Sequence, residues 1–184
     1  MVYVGVDGKG LGQLPDGVKV VAVSRNPLDA CVSSYYHAFN PFKSGWPFDA
    51  WASAWLSGRT VHGSWFDWVR LWYQEVESHP DRAHFIQFEH LKYHAREEIV
   101  KLADFLGVAY DDALIDRVLE HSSFDSMKKQ ADAKGGDYMG HLRKGEVGDW
   151  KNHFSAEMVQ DFNARLHAEF GGSELEAMFD YSTK

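Results

Sequence analysis

Short β-branched runs alternate with longer stretches of helical periodicity along this chain. Val18 to Ser24 reads Val-Lys-Val-Val-Ala-Val-Ser, short and apolar enough for a buried strand. Arg25-Asn26-Pro27 follows at once, with Asn26 suited to a helix N-cap and Pro27 to the first helical position. Leu28, Cys31, Val32, Tyr35 and Phe39 then fall on one stripe, which predicts a helix to about Phe39 with that stripe as its core face. Phe48 to Leu56 reads as a second helix. A third starts near Ser64, carries Trp65, Trp68, Val69, Trp72 and Val76 at helical spacing, and stops before Pro80. Ala83 to Phe88 is a second short strand, followed by helices over Glu97 to Leu106, closed by Gly107, and over Asp111 to Glu120. Gln130 to Gly148 is polar and Gly-rich and reads as a long loop, a length that marks function or disorder in a compact domain. Ser155 caps a last helix carrying Val159, Phe162, Leu166 and Phe170, stopped by Gly171-Gly172. Ahead of all this, Met1 to Gly17 is weakly patterned, with Val2-Tyr3-Val4 a candidate strand remnant and Pro15-Asp16-Gly17 a turn. Two strands among many helices imply an α/β layer fold. Its sheet is either very small or completed by chain outside this sequence.

Composition narrows the classes. At 184 residues, with 45% hydrophobic and 15% aromatic residues, the chain can bury one core and is too apolar for a disordered tail. No apolar run approaches the length of a membrane span, and Met1 to Gln13 lacks the positive charge of a signal peptide. Cys31 is the single cysteine; it lies on the core stripe, reads as an inert buried thiol, and fits a reducing compartment. The formal net charge of −8 argues against a nucleic-acid binder, so any phosphate must be held by a few local donors. The ten His show no metal-ligand spacing, and no metal site is expected.

Two places gather such donors. A strand end leading into a helix start is where open α/β sheets bind ligands, and a helix start offers N–H groups and partial positive charge. Arg25 adds a planar fork that suits phosphate oxygens, and Ser33 lies two turns beyond Asn26 on the same side. Taken alone, this feature reads first as an Arg25–Asp29 pair beside a tolerated small residue. The second place is Arg143-Lys144-Gly145-Glu146-Val147-Gly148-Asp149-Trp150-Lys151, where two cations precede a Gly that permits close backbone approach and Trp150 can pin the loop. Taken alone, it reads first as a solvated basic turn.

Taken together, the two resemble a family. Val18 to Tyr36 is similar to the segment of cytosolic sulfotransferases that binds 3′-phosphoadenosine 5′-phosphosulfate (PAPS), with the Arg-to-Ser spacing kept. Arg143 to Lys151 resembles their C-terminal signature. Gly63-Ser64-Trp65, Phe88-Glu89-His90-Leu91-Lys92 and Ser122 to Lys129 resemble family landmarks in the right order, so that the likeness runs from about Val18 to Gly171. The resemblance implies a P-loop-NTPase-like α/β fold, reduced here to a small parallel sheet and mostly helices. It implies that Arg25 and Ser33 bind the donor's 3′-phosphate and that Arg143, Lys144 and Gly145 close over it. It further implies that Ser122 and Phe124 line the adenine pocket, Phe124 by stacking, and that Tyr35 and His37 face the acceptor. Phe88 stands where the family usually has a nucleotide-contacting Tyr, keeping the ring without the hydroxyl.

The family's sulfuryl transfer, as the resemblance implies, is an in-line displacement. It needs a Lys and backbone N–H groups around the phosphosulfate and a His to take the acceptor's proton. In the family both lie before the segment that begins here at Val18, and this sequence has no His before His37. The expectation is therefore one sulfotransferase domain over 1–184, core 18–171, lacking its N-terminal part and with no catalytic residue assigned. Pro41-Phe42-Lys43-Ser44-Gly45-Trp46 superficially resembles a phosphosulfate loop, but it follows a helix and runs into Pro47, so it is set aside. Three functions stay open: a PAPS-dependent sulfotransferase, a non-catalytic nucleotide-binding module, and an interaction protein or truncated remnant without a ligand. The expected partner is a small-molecule acceptor in the cytoplasm, with no nucleic acid and no membrane. The family's dimer segment keeps Lys151 but has Ser155, Ala156 and Gln160 in place of its usual Thr, Val and Glu, so the resemblance lends no support to a family-type dimer.

Overall fold

The computed structural model describes residues 2–3, 10–38, 45–60, 63–133 and 143–179. Three strands, β1 (Val2–Tyr3), β2 (Lys19–Ser24) and β3 (Ala83–Gln87), form a parallel sheet in the order β1-β2-β3. The helices are α1 (Pro27–Ala38), α2 (Phe48–Leu56), α3 (Trp65–Ser78), α4 (Phe88–Tyr93), α5 (Ala95–Leu106), α6 (Asp112–Ser122), α7 (Phe124–Ala133), α8 (Ala156–Phe170) and α9 (Glu174–Phe179), with 3-10 turns at Leu11–Gln13 and Asp149–Asn152. Among the described residues no helix is long and apolar enough to cross a membrane.

The chain divides into two compact units. The first holds the described residues of Met1–Gly5, Lys9–Ser24 and Leu71–Glu146; the second holds those of Arg25–Arg70 and Val147–Lys184. In the first unit, β2 is the middle strand, with Val20, Ala22 and Ser24 buried. Parallel pairing with β3 runs from Val20↔Ala83 to Ser24↔Gln87. Phe85 meets Tyr73 of α3 edge-on, and His84 stacks on Phe105 of α5. Burial lowers the His84 pKa, with Glu98 opposing and Lys101 adding to the shift.

The second unit is built on aromatic rings. Leu28, Cys31, Val32 and Tyr35 form the buried face of α1, as the stripe predicts, and Trp51 Nε1 of α2 donates to the Cys31 carbonyl at 3.1 Å. Burial pushes the Cys31 thiol far above its ordinary pKa, which accords with an inert core thiol. Phe66, Phe162, Phe170 and Phe179 are buried together, and Trp65 meets Phe179 edge-on at 4.8 Å. Such ring pairs add about 0.5–1.5 kcal/mol each beyond their burial. At its edge, Glu169 accepts from Arg70 at 2.7 Å and Arg165 at 3.1 Å, and these guanidinium groups hold its carboxyl below the usual range.

Several expectations need correction. The sheet has three strands, Val2–Tyr3 supplying the third, while Val4 lies outside the described residues. Phe88 begins a helix instead of ending β3, because the register with β2 is exhausted at Ser24↔Gln87 and no partner residue remains beyond it. The loop predicted from Gln130 starts later, since α7 continues to Ala133 with Ala131 buried. After Gly171-Gly172 the chain re-enters a helix, α9. There Leu175 and Phe179 find burial, and Glu176 accepts the Gly172 N–H at 2.8 Å. Phe39 and residues 41–44 of the set-aside loop lie outside the described residues.

Candidate functional site

The strand-to-helix junction forms as its residues dictate. β2 ends at Ser24 and α1 begins at Pro27. Asn26 caps the helix: its Oδ1 accepts from Leu28 N at 2.9 Å and from Asp29 N at 3.3 Å. Pro27 has no N–H, and Ala30 N donates to the Asn26 carbonyl at 2.8 Å. The expectation that this helix start presents free N–H groups to an anion therefore does not hold for Leu28, Asp29 or Ala30; local capping has taken them. Arg25 is half-buried just before the helix, and Ser33 is half-buried two turns along it.

Asp29 does something the sequence did not announce. It is 1% exposed; its Oδ2 accepts the Gly148 N–H at 2.7 Å and its Oδ1 the Trp150 N–H at 2.9 Å. Both oxygens of the carboxylate are thus engaged by the C-terminal signature, 119 and 121 positions away. Gly148 holds φ at +93°, a left-handed conformation that favours glycine, and the 3-10 turn Asp149–Asn152 follows with Asp149 and Trp150 buried. The Trp150 side chain is buried, and it is the Trp150 backbone N–H that Asp29 receives. An acidic residue in a first helical turn is ordinarily read as a complement to the helix dipole. Nothing in the local sequence identifies so distant a partner.

In the first unit, two residues singled out separately come together. Gly145 sits against the ring of Phe124 at φ +65°, and a Cβ there would lie 2.4 Å from Phe124 Cδ2. Only a glycine backbone fits so close to that ring. Arg143 and Lys144, just before it, are exposed. Phe124 is half-buried at the start of α7, whose N-terminal amide at Ser126 is capped by Ser123 Oγ at 3.2 Å. Ser122 is exposed at the end of α6, and Phe88 is half-buried at the start of α4.

The two residues expected to face an acceptor differ. His37 is exposed in the last turn of α1. Tyr35 is 6% exposed, and its hydroxyl donates to the Trp46 carbonyl at 2.6 Å. Around it stands an aromatic group, with Phe48 edge-on at 5.3 Å and Tyr36 at the same distance. His153 joins this group through Tyr36 at 5.5 Å and Phe48 at 5.4 Å, with its Nε2 3.6 Å from Asp149 Oδ2. Sequence reading passed over His153, a lone His with no signal to separate it from nine others.

The chain is similar to known proteins. The sulfotransferase domain family matches residues 14–174. Sulfotransferase 1B1 of mouse is 33% identical over 179 residues, covering 88% of this chain and 57% of that protein. The chain thus spans well under two thirds of the length of the curated relatives it matches, bovine sulfotransferase 1E1 among them, at 30% identity. Among solved structures, mouse sulfotransferase SULT7A1 complexed with PAP matches at a TM-score of 0.79 and 26% identity, over 92% of this chain and 66% of that one. Retinol dehydratase, in complex with androsterone and the inactive cofactor PAP, shares the fold at a TM-score of 0.80 and 24% identity, over 95% of this chain and 54% of that one. From strand-to-helix junction to basic loop, the sequence and its fold agree: this chain belongs to the sulfotransferase family.

Proposed function

We propose that this chain binds PAPS as a co-substrate and serves transfer of its sulfuryl group to a hydroxyl or amine of a small molecule. The observation that carries the reading is the solved relative at 26% identity, which holds PAP and matches 92% of this chain. PAP, adenosine 3′,5′-bisphosphate, is what PAPS becomes once its sulfuryl group has left. The residues present suit such a ligand. Arg143 and Lys144 are exposed cations, and Gly145 leaves backbone where a side chain would collide with Phe124. We assign Arg25 and Ser33 to the 3′-phosphate, Arg143, Lys144 and Gly145 to the same group, and Ser122, Phe124 and Phe88 to the adenosine. Tyr35 and His37 are assigned to the acceptor side, Tyr35 through the wall it builds, since its hydroxyl is already engaged by Trp46. In the transfer, the acceptor atom bonds to sulfur as the bond from sulfur to the 5′-phosphate oxygen breaks. PAP departs, and the acceptor's proton passes to a base; none of this chain's residues is assigned that role. A cytoplasmic setting is part of the same proposal.

Calorimetry with adenosine 3′,5′-bisphosphate tests the reading. Arg25→Ala is expected to weaken binding about 30-fold or more, the lower end for truncating one partner of a buried charge pair. Unchanged affinity in that variant would sink the assignment. A donor-dependent sulfation assay then separates an enzyme from a module that only holds the nucleotide.

A further inference from the structure

We infer that Asp29 is a positioning residue of the donor site, one that holds the basic signature in its binding conformation before the nucleotide arrives. The inference rests on the reading above. A buried carboxylate four residues after Arg25 is, by itself, unfavourable beside a proposed phosphate: it is a like charge and is costly to desolvate. Its surroundings explain its presence. It lies in the first turn of α1, where the helix dipole favours an anion, and it accepts two backbone N–H groups, from Gly148 at 2.7 Å and Trp150 at 2.9 Å. Those bonds tie down the end of the signature only a few residues after Arg143, Lys144 and Gly145. The signature needs an outside tie, because Gly148 at φ +93° and Gly145 at φ +65° give its free chain wide conformational latitude. Ordering it in advance removes that cost from nucleotide binding. Arg143 is then useful only while Asp29 holds the loop.

A double-mutant cycle on this chain, read by calorimetry with adenosine 3′,5′-bisphosphate, tests the inference. Asp29→Asn keeps the size and one acceptor but sets an NH2 against a backbone N–H. It is expected to weaken binding about 10-fold or more, the effect of a hydrogen bond to a charged group. Arg143→Ala should cost about 10-fold in the parent chain and close to nothing in the Asp29→Asn background. Amide exchange adds a readout that needs no variant. In the free parent chain, the Gly148 and Trp150 N–H groups should be protected like those of α8, and in Asp29→Asn they should exchange about 10-fold faster or more. Unprotected amides in the parent chain, or equal Arg143→Ala losses in both backgrounds, overturn the inference while leaving nucleotide binding intact. A parent chain that binds no nucleotide overturns the proposed function and this inference together.

Discussion

The first turn of α1 and the basic signature that holds Trp150 both carry backbone N–H groups that need acceptors, and they find them by opposite means. At α1 the acceptor is a neighbour: Asn26 serves Leu28 and Asp29 within three residues. In the signature the acceptor is Asp29, 119 and 121 positions earlier in the chain. A short-range cap costs little chain entropy and forms with its helix, whereas a long-range one exists only once the second unit has folded. The Leu28 and Asp29 amides in the one, and the Gly148 and Trp150 amides in the other, serve the protein's own architecture. The proposed phosphate contacts of Arg25, Arg143 and Lys144 are side-chain contacts, a part separate from these amides.

Chemical denaturation can put magnitudes on this contrast. The largest effect is expected from Asp29→Ala, which leaves the Gly148 and Trp150 N–H groups without their acceptor and should lower unfolding free energy by about 3 kcal/mol. Asn26→Ala removes the local cap and should cost about 1 kcal/mol. If the two losses prove equal, the long-range tie is no stronger than an ordinary helix cap and the contrast disappears. The smallest effect is expected at the exposed Lys144. Lys144→Ala should shift stability by under about 0.5 kcal/mol while weakening adenosine 3′,5′-bisphosphate a few-fold, a purely ligand-side loss. A large stability change there would mean the cation belongs to the fold and not to a ligand.

Much of the fold is written in short-range pattern. The stripe Leu28, Cys31, Val32 and Tyr35 is the buried face of α1, Asn26 is its cap, Ser155 caps α8, and Gly107 closes α5. These are legible because helix periodicity and capping involve residues a few positions apart. The misreadings fall where a distant partner decides. Phe88 leaves the strand because β2 has no further residue to pair with it, and Glu174–Phe179 is helical because Leu175 and Phe179 find a core to enter.

The candidate site divides along the same line. For Arg25, Ser33, Arg143, Lys144 and Gly145 the sequence offers residue types suited to phosphate, and the family resemblance is what proposes them as one site. The sequence also determined membership in the sulfotransferase family, through motifs that each occupy one continuous stretch. Only the tertiary structure decided that Gly145 lies on the Phe124 ring, that the Tyr35 hydroxyl is engaged by Trp46, and that Asp29 receives the signature's amides. The physical reason is that a side chain's partner across a hundred residues is chosen by packing and burial, which act on the folded chain and leave no mark on its local sequence.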